Sequence, residues 1–189
     1  MKNLKSIYVF PLLALLFVAC SNDDNAPVPV IEEEVITTLT ATLVPNGSGT
    51  TITLQSRDLD GKDGPNAPVI DVSGNLAANT TYTGSFEILN ETESPAEDIT
   101  EEIKEKDEEH QFFFQATNTI ASFTYSDADG NGNPIGLSFT LTTGSAGSGT
   151  ITITLRHEPN KTANGVKDGD ITNAGGETDI QASFSVTVQ

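Results

Sequence analysis

The stretch Thr37–Arg57, TTLTATLVPNGSGTTITLQSR, decides the fold because apolar and polar residues alternate along most of its length. Its apolar positions are Leu39, Ala41, Leu43, Ile52 and Leu54. A period of two places one face of a strand against a core and the other, here rich in threonine, towards water. Between the two alternating runs lies Pro45–Gly49, whose glycines suit a tight turn. The stretch therefore predicts an antiparallel β-hairpin.

The same alternation recurs along the rest of the chain. Leu137, Phe139 and Leu141 precede the turn Gly144–Gly149, after which Ile151, Ile153 and Leu155 follow, and this arrangement predicts a second hairpin. Further predicted strands are Pro68–Gly74, Thr80–Leu89, Glu109–Thr117, Thr119–Ser126 and Thr178–Val188. About nine short strands at close spacing, each with one apolar face, indicate an all-β protein. We expect an antiparallel β-sandwich of immunoglobulin-like type.

One acidic segment departs from the strand pattern. Ser94-Pro95-Ala96-Glu97 has the form of a capping box, and Ala96, Ile99 and Ile103 follow at helical spacing. This pattern predicts a short amphipathic helix over Pro95–Lys106, in which Glu102 and Lys106 form an i,i+4 pair. Its acidic face is either a surface for a cationic partner or a solvated connection between the sheets, and we favour the connection.

The N-terminal residues have the layout of an export signal. Lys2 and Lys5 precede the apolar run Ile7–Val18, which is too short to span a bilayer. The residues that follow, Phe17-Val18-Ala19-Cys20, resemble the lipobox of bacterial lipoproteins, with phenylalanine where leucine is usual. The resemblance implies a signal peptide over 1–19, acylation of Cys20, and membrane attachment through the lipid. Residues 20–31 are then a tether, and residues 32–189 a single sandwich domain.

The composition narrows the classes of function. Cys20 is the only cysteine, so its acylation leaves no thiol for a disulfide. Loss of Lys2 and Lys5 with the signal takes the formal net charge from −18 to −20. A chain this acidic repels nucleic acid, and we expect no nucleic-acid partner.

Two aspartate-rich loops are candidate calcium sites. Asp127, Asp129 and Asn131 fit the first half of an EF-hand loop, DxDxNG, because alternate oxygen ligands with glycine at the turn suit a hard cation. The twelfth position is Ser138 and not the bidentate glutamate, however. The second loop offers Asp58, Asp60 and Asp63. Asp-Gly and Asn-Gly pairs also form tight turns without metal, so both interpretations stay open.

Residues suited to catalysis are scarce. The two histidines are His110, on the same strand face as Phe112, and His157, at the end of a strand. Together they could serve a small metal-dependent enzyme or a haem- or ligand-capture protein, but only if the fold brings them together, and we expect them to lie apart. We therefore expect no enzyme and no cofactor other than calcium. The favoured function is a non-catalytic binding or structural module whose loops contact calcium, a protein or a small molecule.

The runs LNETESPAEDITEEI, YSDADGNGNPIGLSFTLTTG and LRHEPNK make the chain resemble a family of uncharacterised Bacteroidota lipoproteins. Members of that family are sometimes labelled as type 1 periplasmic binding fold proteins. That fold has two α/β lobes and close to twice this length, whereas this sequence lacks βαβ alternation. The resemblance implies an outer-membrane lipoprotein that faces the periplasm or the cell surface, and it carries over no functional residue.

Overall fold

The computed structural model describes residues 34–62 and 64–189, which fold into two antiparallel sheets around a shared core. The strands are β1 (Thr38–Pro45), β2 (Ile52–Arg57), β3 (Val69–Val72), β4 (Thr81–Asn90), β5 (Glu97–Asp98), β6 (His110–Ala116), β7 (Ala121–Tyr125), β8 (Ser138–Thr143), β9 (Gly147–His157) and β10 (Glu177–Val188). The large sheet has seven strands, in the order β3-β2-β1-β4-β8-β7 with β5 beside β4. The small sheet has the order β10-β9-β6. The predicted all-β sandwich is confirmed.

The core lies between the inward faces of the two sheets. Leu39, Ala41 and Leu43 of β1 are fully buried, as the alternation predicts. Across the interface, Phe86 of β4 stacks on Phe112 of β6 with ring centroids 4.3 Å apart. Burying one such aromatic side chain contributes roughly 1.5–3 kcal/mol, so these facing rings are a main attachment between the sheets.

The first predicted hairpin is confirmed, because β1 pairs with β2 over Thr38–Leu43. The second is wrong. β8 pairs with β4 and β7 in the large sheet, whereas β9 pairs with β6 and β10 in the small one. The chain therefore crosses from one sheet to the other between β8 and β9. Alternation shows that each strand has a core-facing side, but it does not show which strand lies next to it.

The acidic helix is shorter than predicted. Helix α1 spans Ile99–Glu105, and its N-cap is Asp98, whose side chain accepts a hydrogen bond from the Thr100 N–H at 3.0 Å. The predicted start at Pro95 is wrong because Glu97 and Asp98 form β5 against the end of β4. Ile99 and Ile103 are buried, and the Glu102–Lys106 ion pair is present at 2.7 Å. The helix therefore packs against the core of the sandwich through Ile99 and Ile103.

The small sheet is the part of the fold that positions the candidate site. β6 begins, β9 ends and β10 begins at the same end of this sheet. Helix α1 leads into β6 through a short turn, so its last residues lie beside that end. In the described part of the chain, no helix has the length and apolar character needed to cross a membrane.

Candidate metal centre

Two histidines meet at this end of the small sheet. His110 opens β6, His157 closes β9, and the antiparallel register places them directly opposite each other. Their ring centroids are 4.8 Å apart with ring planes at 77°. The expectation that they lie apart is therefore wrong. Each histidine continues the inward-facing alternation of its strand, but the pairing of β6 with β9 follows from no local pattern.

Two buried carboxylates complete the group. Glu34 precedes β1, and Asp179 lies where the register between β9 and β10 shifts, between Thr178 and Ile180. A bulge of this kind sets two residues of one strand against one of the other and re-aims a side chain. Strict alternation from Ile180 would turn Asp179 outwards, whereas its side chain is only 1% exposed. The bulge thus explains how this carboxylate reaches the histidines.

The four side chains direct their ligand atoms at one small volume, with all of these atoms within 4.8 Å of one another. His110 Nε2 is 3.5 Å from Glu34 Oε1 and 3.8 Å from Asp179 Oδ2. His157 Nδ1 is 3.2 Å from Glu34 Oε2 and 3.9 Å from Asp179 Oδ1. Four atoms placed tetrahedrally at about 2.0–2.2 Å from a zinc ion are separated by roughly 3.3–3.6 Å. The measured contacts use both oxygens of each carboxylate and reach 3.9 Å, so the group could hold a four-coordinate ion of this size if its ligand atoms moved closer together.

His110 is oriented for metal coordination. Its Nδ1 lies 3.1 Å from the carbonyl oxygen of Lys106, which can only accept, so in the neutral imidazole Nδ1 carries the proton and Nε2 carries the lone pair. Nε2 is buried and makes no hydrogen bond, yet it faces the oxygens of Glu34 and Asp179. A lone pair directed at carboxylate oxygens is repulsive unless a cation lies between them, so this buried atom fits a metal ligand.

The protonation states of His110 and Glu34 favour the binding of a cation. Burial lowers the pKa of His110, against the opposing effects of the Lys106 carbonyl and Glu34, and this favours the neutral imidazole that coordinates metals. Burial raises the pKa of Glu34, but its own backbone N–H, His110 and Lys106 together bring that pKa below its ordinary value. Glu34 is therefore a carboxylate at neutral pH.

A cleft connects the group with solvent. Glu34 and Asp179 line a cavity of about 250 Å³ together with Asp60 and Lys62. Neither histidine lines this cavity. The carboxylates therefore form the outer face of the group and the histidines its back, so that an ion would arrive at the carboxylates first.

The predicted calcium loop at Asp127–Asn133 has a different set of contacts. Asp129 accepts hydrogen bonds from the N–H groups of Asn131 and Asn133, and its Oδ2 lies 3.1 Å from the ammonium group of Lys161. The carboxylate of Asp127 accepts from the N–H groups of Gly136 and Ser138. Donors of the chain itself thus bind the carboxylates of Asp127 and Asp129 that the calcium hypothesis assigns to an ion. These contacts weigh against calcium in this loop, where it stays a prediction.

The second aspartate loop is only partly described, because Asp63 lies outside the described residues. Asp60 Oδ2 accepts from the backbone N–H and the side-chain amide of Asn66, at 3.2 and 2.8 Å. Asp58 lines a neighbouring cavity of about 430 Å³ that Asp179 also lines. The loop therefore borders the metal candidate, and calcium at these aspartates stays a prediction. Cys20, the signal peptide and the tether also lie outside the described residues.

Sequence reasoning identified the two histidines but missed Glu34 and Asp179. Glu34 sits in the run Glu32-Glu33-Glu34, which looks like a solvated charge cluster. Asp179 belongs to a strand whose alternation points it towards solvent. Neither residue carries a local signal of its role, since both reach the histidines through long-range pairing and a bulge.

Comparisons with known proteins returned no match, whether to protein-family models, to curated proteins or to solved structures.

Proposed function

We propose that this protein is a lipid-anchored cell-envelope β-sandwich that binds a divalent transition-metal ion through Glu34, His110, His157 and Asp179. The observation that carries the proposal is the convergence of two imidazoles and two carboxylates, with ligand atoms within 4.8 Å of one another. Burying two carboxylates costs several kcal/mol per charge unless cations compensate them. A divalent ion at the centre would neutralise both carboxylates further, beyond the Lys106 ammonium group that lies 3.2 Å from Glu34 Oε1.

The ligand set favours zinc among the divalent ions. Imidazole nitrogen suits zinc and its transition-metal neighbours, whereas calcium and magnesium prefer six or more oxygen ligands. Two imidazoles and two carboxylates also supply the number of ligands that the tetrahedral geometry preferred by zinc requires. His157 Nδ1 lies 3.2 Å from Glu34 Oε2, and an ion held by Nδ1 would replace this contact, so that any proton between the two atoms would be released to solvent.

Four protein ligands favour a binding role over catalysis. Catalytic zinc sites keep a position open for water or substrate, and here four protein residues are available as ligands, enough to fill a tetrahedral set. Haem capture is less well supported, because the histidine rings are 4.8 Å apart with carboxylates against both, which leaves no room for a porphyrin between them. We therefore propose a non-enzymatic metal-binding module.

The cellular setting is part of the proposal. The lipobox-like residues before Cys20 support acylation of that cysteine and attachment to the outer membrane, facing the periplasm or the cell surface. The acidic composition supports attraction of cations from the surrounding space. Histidine and carboxylate ligands, unlike thiolates, are not lost to oxidation outside the cytoplasm.

The proposal is tested by titrating the purified protein with zinc in competition with a chromogenic chelator of known affinity. We expect one zinc ion per chain, and binding of magnesium or calcium that is weaker by orders of magnitude. Glu34→Gln, His157→Ala and Asp179→Asn should each weaken zinc binding by about a hundredfold or more, because each removes a direct ligand.

Matched controls separate the site from the general negative charge. Glu87→Gln on β4 and Asp71→Asn on β3 make the same chemical changes at exposed positions. These variants should bind zinc within about twofold of the unaltered protein, since exposed charges at a distance are screened. Equal weakening by Asp71→Asn and Asp179→Asn, or no zinc binding by the unaltered protein, would overturn the proposal.

A further inference from the structure

Lys106 bridges the candidate metal centre and the end of helix α1. Its ammonium nitrogen is 3.2 Å from Glu34 Oε1 and 2.7 Å from Glu102 Oε1. The Lys106 side chain is 41% exposed, whereas that of Glu34 is 2% exposed. The partly exposed Lys106 thus places its positive charge next to a buried carboxylate of the site.

This ammonium occupies an oxygen that the metal ion would also use. Glu34 Oε1, the atom closest to Lys106, is also the atom that faces His110 Nε2 at 3.5 Å. An ion within coordination distance of Oε1 would lie only a few ångströms from the Lys106 ammonium, and two cations so close repel each other strongly. Binding of the metal to Glu34 and contact of Lys106 with Glu34 therefore oppose each other.

Lys106 has a second partner to which it can withdraw. Glu102 lies one helical turn earlier, and both side chains of this pair are partly exposed, so the pair can persist without Glu34. The hydrogen bond that Lys106 donates to Glu102 is the largest effect that raises the pKa of Lys106, and the side chain stays charged at neutral pH. The structure shows Lys106 bridging Glu34 and Glu102, and a move away from Glu34 would leave its contact with Glu102 in place.

We propose that Lys106 is an internal competitor for the metal ion, so that the site takes up and releases zinc reversibly instead of holding it as a permanent structural ion. This inference rests on the proposed metal-binding function. Without metal, the ammonium group compensates Glu34; with metal, Lys106 withdraws to Glu102. The cleft beside Glu34 and Asp179 provides the route by which the ion exchanges. The protein then acts as a carrier or buffer of a divalent transition metal.

Helix α1 offers a matched pair of variants for the test. Lys106→Gln removes the competitor, and Lys104→Gln makes the same change two residues earlier, where the lysine pairs only loosely with Glu101 at 3.6 Å. The probe is zinc alone, with its dissociation constant and its rate of release to excess chelator measured on the full-length mature protein. We expect Lys106→Gln to bind zinc about tenfold more tightly and to release it correspondingly more slowly, because a nearby charge is removed. Lys104→Gln should stay within about twofold of the unaltered protein.

A second matched pair of variants should change zinc affinity in the opposite direction. Glu102→Gln deprives Lys106 of its alternative partner, so it should weaken zinc binding about threefold. Glu101→Gln removes the same charge from the same helix, and it should have a smaller effect. Unfolding curves recorded without zinc would check that each of the four variants is folded.

The outcomes distinguish this inference from the proposed function. If the unaltered protein binds no zinc, the proposed function fails and the inference fails with it. If zinc binds but Lys106→Gln and Lys104→Gln behave alike, the site stands and the competitor role is overturned. Weaker binding by Lys106→Gln would also overturn it, because that result would make Lys106 a positioning residue for Glu34.

Discussion

Replacing Asp129 should destabilise the domain strongly, and independently of calcium. Asp129 and Lys161 form an ion pair in which the two side chains are 1% and 4% exposed. Lys161 also donates to the carbonyl oxygen of Asp107, so this lysine joins the long loop after β9 to the turn before β6 and to the Asp127–Asn133 loop. Removing the carboxylate leaves a buried ammonium group that has lost its counter-charge.

The size of the effect follows from these contacts. Breaking a buried ion pair by removing one partner costs about 3–5 kcal/mol. Asp129→Asn keeps an oxygen for the N–H groups of Asn131 and Asn133, so its loss of unfolding free energy should be near the lower limit, about 3 kcal/mol. Asp129→Ala removes these acceptors as well and should approach 5 kcal/mol. For a domain of this size, about 3 kcal/mol lowers the melting temperature by roughly 6–12 °C.

The pH dependence provides a further check. Burial raises the pKa of Asp129, but the hydrogen bonds from Asn133 and Lys161 outweigh it and bring that pKa below its ordinary value. A lowered pKa in the folded state stabilises the protein above the unfolded-state pKa of about 3.9. The difference in stability between the unaltered protein and Asp129→Asn should therefore be complete at neutral pH and should disappear as the pH falls below about 4.

The assay is urea unfolding followed by circular dichroism, with exposed Asp71→Asn as the control, which should change stability by less than about 0.5 kcal/mol. The unfolding is repeated in calcium and in equal magnesium. Because Lys161 already binds Asp129, any stabilisation by calcium beyond that by magnesium should be the same in the unaltered protein and in Asp129→Asn. A loss below about 1 kcal/mol, or a calcium-specific stabilisation that Asp129→Asn abolishes, would refute the reasoning and restore the calcium hypothesis.

Three further predictions concern other parts of the chain. Zinc at about a hundred times its dissociation constant should add about 2.7 kcal/mol of stability, a rise of roughly 5–10 °C in melting temperature that Asp179→Asn abolishes. Hydrogen bonds from Arg57, with a further one from Thr38, lower the pKa of Glu91 to about 2, so an NMR titration should find Glu91 ionised at pH 3, and Arg57→Gln should raise that pKa towards its ordinary value. Cys20→Ser should prevent incorporation of labelled fatty acid, and a mutant that is still labelled would contradict the anchor hypothesis.

The period-two alternation of the sequence was sufficient to predict most of the fold. Leu39, Ala41 and Leu43 face the core as the pattern indicates, and each predicted strand from Pro68 onwards overlaps an observed one. Alternation depends on local chemistry, so it identifies strands and their faces. Alternation does not show which strands pair with each other. For this reason the predicted hairpin of β8 and β9 was wrong, and the residues predicted to begin helix α1 form strand β5 instead.

Of the four residues of the candidate metal centre, local sequence patterns could indicate the two histidines but not the two carboxylates. His110 and His157 could be recognised as inward-facing residues at strand ends, because each follows an apolar series on its own strand. The two histidines lie close together because of the register between β6 and β9, and Asp179 lies beside them because of a bulge in β10. Glu34 reaches the site from a segment 76 residues before His110 in the chain. Such contacts between distant segments depend on the whole fold.

The most direct test of the proposed metal centre is anomalous diffraction at the zinc absorption edge, from crystals of the protein grown with zinc. The account predicts a strong anomalous peak about 2.0–2.2 Å from His110 Nε2, His157 Nδ1 and one oxygen each of Glu34 and Asp179. Data collected just below the edge should lose this peak, which would identify the ion as zinc. Zinc peaks found only at surface carboxylates, with none between the two histidines, would contradict the account.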